Sequence, residues 1–186
     1  MLRAAADFFR RRGFAGASVE ELTAATGLGK GSLYGAFGSK HGLYLAALDR
    51  YTESNVGGAT QALAESTAGP VDELRAYLDG IAAVSSDGSP SCLLTVSATE
   101  LADHDSSVAR RLQEAFDRLS DGLRATVARG QADGTIAPDA DPQAAADLLL
   151  AVARGIEVLA HAGIPSDRLT EAAELAVAAV AGDHHG

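Results

Sequence analysis

The chain has only two lysines, Lys30 and Lys40, and both fall in the stretch GKGSLYGAFGSK (29–40) among the hydroxyls of Ser32, Tyr34 and Ser39. Cations and hydroxyls interleaved in this way are the usual means of holding phosphate oxygens. Ser39 is placed to cap a following helix, which puts Lys40 in that helix's first turn. A cation there gains little from its own helix, while the free amides beside it suit an anion from outside. Other reactive side chains do not assemble into a site. Cys92 and His104 lack an orienting third group and a nucleophile elbow, and His184-His185 stands without metal-ligand spacing. Neither an enzyme nor a metal or cofactor site is expected.

The charge around these lysines singles out their part of the chain. Over 186 residues the formal net charge is −10, yet residues 1–50 hold seven Lys/Arg against four acids, leaving eight against 21 for the remainder. The N-terminal part is the candidate for a polyanionic partner, and the acidic remainder would repel one. At 47% hydrophobic and 22% charged the chain can bury a substantial core. One cysteine excludes an internal disulfide framework, and no window approaches the ~18 apolar residues of a membrane span. A soluble, cytoplasmic protein is expected.

The elements that must position these groups read as helices throughout. Leu2, Ala5, Ala6 and Phe9 make one apolar stripe, and Val108, Leu112, Ala115, Leu119, Leu123 and Val127 another. No segment of comparable length alternates with period two. Breaks at Gly13, Gly27-Leu28-Gly29, Gly38, Gly69-Pro70, SSDGSPS (85–91), DGTIAPDADP (133–142) and GIPS (163–166) delimit nine predicted helices: 2–12, 19–26, 30–36, 40–66, 71–85, 91–102, 106–132, 142–162 and 167–181. Gly57-Gly58 is expected to bend or break the fourth, and the terminal DHHG reads as disordered. Ser18-Val19-Glu20-Glu21 is a capping box opening the second helix. The third buries Leu33 and Phe37 and leaves Lys30, Ser32, Tyr34 and Gly35 able to face outward. Two short helices joined by a glycine turn have the layout of a helix-turn-helix, whose second helix enters the DNA major groove.

At these residues the sequence resembles the TetR family of bacterial transcriptional regulators. The resemblance runs through Ala5, Phe9, Gly13-Phe14, Ser18-Val19, Glu21-Leu22, Gly27-Leu28, Lys30-Gly31-Ser32-Leu33-Tyr34, Phe37 and Ser39-Lys40, and continues in SCLLTVSATELADHD and DGTIAPDADPQAAADLLL. It implies an all-α fold, with a helix-turn-helix DNA-binding domain over 1–50 and a ligand-binding and dimerisation domain over 51–186. Carried over by position, it implies phosphate contacts from Ser18, Ser32, Tyr34 and Lys40, with Lys30, Gly31 and Gly35 nearest the bases. Gly35 departs from the larger side chain common there, which shifts specificity toward DNA shape.

In the C-terminal half, the eighth and ninth predicted helices are apolar nearly all round, and a helix needing burial on both faces implies a partner surface. A homodimer through Val152, Ile156, Leu159, Ala172 and Ala176 is expected, matching the family. A cavity like the family's would be mostly aliphatic, with Tyr77, Phe116, Thr95, Thr99, Glu100 and His161 as its aromatic and polar lining. The function that follows is a DNA-binding regulator, a repressor released from a palindromic operator by a small apolar or amphipathic molecule. Two alternatives are a regulator that senses oxidants or electrophiles through Cys92 and a helical carrier without DNA binding. A buried thiol within the sixth helix would be inert.

Overall fold

The computed structural model describes residues 1–86 and 88–182, and the described residues form nine α-helices and no strand. In order these are α1 (Leu2–Arg12), α2 (Val19–Thr26), α3 (Lys30–Phe37), α4 (Lys40–Glu65), α5 (Pro70–Ser86), α6 (Leu93–Glu100), α7 (Ser106–Asp133), α8 (Pro142–His161) and α9 (Ser166–Ala181). Asp87, within the predicted 85–91 break, and the DHHG tail with His184 and His185 lie outside the described residues.

Most boundaries follow local chemistry already visible in the sequence. The Ser18 hydroxyl accepts from the Glu21 amide at 3.2 Å and the Glu21 carboxylate accepts from the Ser18 amide at 3.2 Å, closing the capping box. Ser39 Oγ accepts from Gly42 N at 2.9 Å at the start of α4. Asp141 caps α8 through the Gln143 amide, with Pro142 in the first turn where its missing N–H is not needed.

Two expectations need correction. The fourth helix does not break at Gly57-Gly58 but is continuous there. Each glycine weakens a helix by about 1 kcal/mol against alanine, but Leu43, Tyr44, Ala47, Leu48 and Val56 before the pair and Leu63 after it are all buried. Tertiary packing outweighs the local preference. The sixth helix is shorter than expected at both ends. Before it, the Ser91 and Pro90 carbonyls accept from the Arg10 guanidinium at 2.7 and 2.5 Å instead of entering a helical ladder. After it, Leu101–His104 form a turn leading to Asp105, whose carboxylate caps α7 through the Ser107 and Val108 amides at 2.9 and 3.2 Å. Cys92 therefore stands half-buried at the N-cap of α6, not inside a helix.

The chain divides into two packing units, Met1–Gly57 with Pro90–Ala115, and Gly58–Ser89 with the residues from Phe116 onward. The first is built on aromatic rings. Phe9 and Phe14 each meet the fully buried Tyr44 edge-on, at 4.8 and 5.1 Å between centroids. The Tyr44 hydroxyl lies 2.6 Å from Ser97 Oγ, which donates to Leu93 O, so the tyrosine is the donor. Burial first, with the neighbouring Glu100 and Asp105 charges, pushes the Tyr44 phenol up to about 12.

In the second unit α5, α8 and α9 pack on one another around Leu74, Leu78, Leu149, Ile156, Leu169 and Val177. Gly130 permits a close approach there, since a Cβ would meet Ile136 at 2.6 Å. Glu73, almost fully buried, accepts from Arg129 Nη2, which also donates to the Leu63 carbonyl at 3.2 Å.

Candidate nucleic-acid interface

One buried residue, Leu33, anchors α3, and Phe37 is half-buried, so the helix turns the rest of its short length outward. Lys30, Gly31, Ser32, Tyr34 and Gly35 are all exposed, with Tyr34 41% accessible. A Cβ at Gly31 or Gly35 would meet nothing within 4 Å. The face is a low ridge with a cation and two hydroxyls, open to close approach by a duplex.

Lys30 is engaged in the free protein. Its ammonium donates to the Glu20 carboxylate at 3.1 Å, and this hydrogen bond and charge hold the lysine above its ordinary pKa. Both partners are largely exposed, so the pair contributes little and opens readily. Glu20 is the residue that motif reading missed, because in the capping box it looks like a filler between Val19 and Glu21. Ser18 is exposed, and its hydroxyl bonds mutually with Glu21. That bonding, through the side chain first and the backbone second, holds the Glu21 carboxyl below its ordinary range.

Lys40 is also engaged within the chain. Its ammonium donates to the Phe14 and Ala17 carbonyls at 2.9 Å each and sits 4.3 Å from the centre of the Phe14 ring. The cation at this helix start therefore has an internal explanation and does not by itself call for an outside anion. It ties α4 to the α1–α2 connection. From the other side Glu100 clasps the same connection, its carboxylate accepting from the Phe14 and Ala15 amides at 2.7 Å each. Gly13 must be glycine for this clasp, having φ +71° and Glu100 Oε2 only 2.7 Å from where a Cβ would stand. Glu100, expected in a ligand cavity, instead braces the helix-turn-helix.

The family model described as bacterial regulatory proteins, tetR family, matches residues 1–47, and the model for the tetracyclin repressor-like C-terminal domain matches residues 70–177. The chain belongs to the TetR family. As a TetR-family transcriptional regulator it is 27% identical over 147 residues to the HTH-type transcriptional repressor DhaR of Mycobacterium sp. strain GP1, covering 79% of this chain and 73% of that one. It is 26% identical over 167 residues to the HTH-type transcriptional repressor ComR of Escherichia coli K12, covering 89% and 80%. Among solved structures, a cysteine mutant of the TetR family regulator CifR complexed with 26-bp double-strand operator DNA superposes with a TM-score of 0.84 at 30% identity, covering 96% of this chain and 94% of that one.

In this TetR-family chain the expected effector residues are divided between the two units. Thr95 and Thr99 lie on α6 in the first unit, and the Thr99 hydroxyl is turned to its own helix, 3.1 Å from the Thr95 carbonyl. In the second unit Tyr77 lines a cleft of about 350 Å³ with Ala59, Ala62, Leu63, Glu73 and Ala76. Phe116 borders a separate depression with Leu150 and Arg154. His161 is exposed, within hydrogen-bonding distance of the Glu157 and Ser89 carbonyls. The expected dimer residues also divide. Ile156 and Ala176 are buried in the chain's own core and offer no surface to a second copy, Val152 is half-buried, and Leu159 and Ala172 are exposed. The exposed apolar residues of α8 and α9 are Leu148, Val158, Leu159 and Leu175, the last 72% accessible. Helical period located the faces, but which of two apolar faces turns inward depends on tertiary neighbours.

Proposed function

We propose that the protein is a homodimeric, cytoplasmic regulator that represses from a palindromic operator and is released by a small apolar or amphipathic molecule. The observation that carries the reading is the outward ridge of α3, with Leu33 buried beneath it. Ser32 and Tyr34 offer hydroxyls to phosphates, and the bare Gly31 and Gly35 bring the backbone near base edges. Lys30 reaches the bases once it leaves Glu20. The third proton of the Lys40 ammonium serves a phosphate while the other two hold Phe14 and Ala17. Ser18 adds a phosphate contact at the start of α2. The DNA complex of CifR supports carrying this mode over.

The exposed apolar row of α8 and α9 suits a two-fold contact, with the 1–50 segment reading DNA and the rest of the chain serving dimer and effector. For the effector the Tyr77 cleft is the best fit, since its lining is mostly alanine and leucine, with Ser66, Glu73 and Tyr77 as its polar residues. Its volume lies at the small end of ligand pockets.

The test is fluorescence anisotropy on the intergenic palindrome beside the gene, across a salt series. The reading expects tight binding that falls steeply with salt. A carrier without DNA function gives no salt-dependent affinity. A thiol sensor loses operator binding on alkylation of wild type and keeps it in Cys92→Ser.

A further inference from the structure

We propose that the cleft between α1 and α4 in the first unit is a binding site for a small organic anion, distinct from both the DNA face and the Tyr77 cleft. It encloses about 350 Å³ and is lined by Arg3, Asp7 and Arg10 of α1 with Arg50, Tyr51 and Ser54 of α4. Helical spacing sets these groups together, since 3, 7 and 10 share one face of α1 and 50 and 54 share one face of α4.

The arginines have different roles. Arg10, only 16% exposed, donates to Asp7 at 3.1 Å and to the Pro90 and Ser91 carbonyls, and its guanidinium lies 5.4 Å from the centre of the Tyr51 ring. It is fixed in place as the wall of the cleft. The guanidinium groups of Arg3 and Arg50, by contrast, have no hydrogen bond or ion pair among the described residues. Three arginines against one aspartate leave the cleft positive in a chain of net charge −10. Two uncommitted guanidinium forks are the donors that a carboxylate or phosphate accepts in pairs. The Tyr51 ring and Ala6 give the body of such a molecule an apolar rest.

Position separates this site from DNA binding. At 1.5 Å per residue, Arg50 and Ser54 lie roughly 15 and 21 Å along α4 from Lys40. α1 runs back in the opposite sense from Phe14, which Lys40 holds, and puts Arg3 at the same far end. The charged head thus sits away from α2 and α3, against the part of α4 that leads into Gly57-Gly58.

The test is isothermal titration of the full-length protein with phenyl phosphate and with inorganic phosphate, repeated for Arg3→Gln and Arg50→Gln. Both positions are exposed, so the variants should fold as wild type. We expect phenyl phosphate to bind more tightly than inorganic phosphate and each substitution to weaken it about tenfold. Equal affinity for the two probes overturns the organic-anion assignment, and no binding, or binding indifferent to both substitutions, overturns the site. The same variants titrated with nonspecific duplex DNA should keep the wild-type salt slope. A slope lowered by about one unit per arginine would assign them to DNA phosphates instead. Neither result depends on whether the α3 ridge reads an operator.

Discussion

The Lys40 ammonium has three protons, of which two meet the carbonyls of Phe14 and Ala17, leaving one for a further acceptor. Lys40→Ala should therefore have two separable effects. Losing charged hydrogen bonds to the α1–α2 connection should destabilise the fold by about 1–3 kcal/mol in denaturant unfolding. A lost phosphate contact should weaken all duplexes alike and lower the log–log salt slope by about one. Loss of stability with an unchanged slope would leave Lys40 a purely internal residue. Asp105 gives a pH prediction. Burial pushes its carboxyl up, but the hydrogen bond from His41 at 2.5 Å and those from the Val108 and Ser107 amides outweigh this and hold it below the ordinary aspartate range. A lowered folded-state pKa stabilises above the unfolded value of about 4 and loses that contribution as pH falls through the folded one. Asp105→Asn keeps a good cap but not the charge. Its thermal midpoint should lie below wild type at neutral pH and converge with it below about pH 4. The residue types here were legible, but their partners were not. Lys40, Glu100 and Asp105 bond across 23–26, 85–86 and 64 positions of chain, and no periodicity reports such contacts.

The α8 and α9 helices show how far an element can be read from sequence. Their boundaries came from Pro142, the GIPS turn and helical period, and agree with the structure to a residue. Which side faces the core was ambiguous, because alanine and leucine lie on both. Substitution should now separate the two faces. Leu175→Asp, on the exposed side, should leave the monomer folded and weaken the dimer by about 2 kcal/mol or more, read as a shift in sedimentation velocity. Ala176→Glu, one residue on, buries a carboxylate in the core and should unfold the second unit. A wild type that sediments as a monomer at micromolar concentration would refute the dimer.

In the whole molecule, α4 and α7 each supply residues to both packing units, so a ligand in one and DNA at the other have shared helices through which to interact. A two-fold dimer must hold its recognition helices about 34–36 Å apart. An effector that favours another spacing by about 1–3 kcal/mol lowers operator affinity roughly 5–150-fold. Linkage then requires operator DNA to weaken effector binding by the same factor, so calorimetry on free and DNA-bound protein should give equal ratios; unequal ratios would remove the effector from control of the DNA. The acidic remainder of the chain, with eight Lys/Arg against 21 acids, opposes a polyanion that the N-terminal part attracts. The Lys30–Glu20 pair extends that restraint to the contact surface. While it is closed Glu20 offsets the Lys30 charge, and because both groups are exposed the pair is weak and a nearby phosphate or base edge competes with it. The pair thus bears on search along the genome. Glu20→Gln should lengthen dwell on random sequence and narrow the ratio of operator to nonspecific affinity, although the substituted residue touches no DNA.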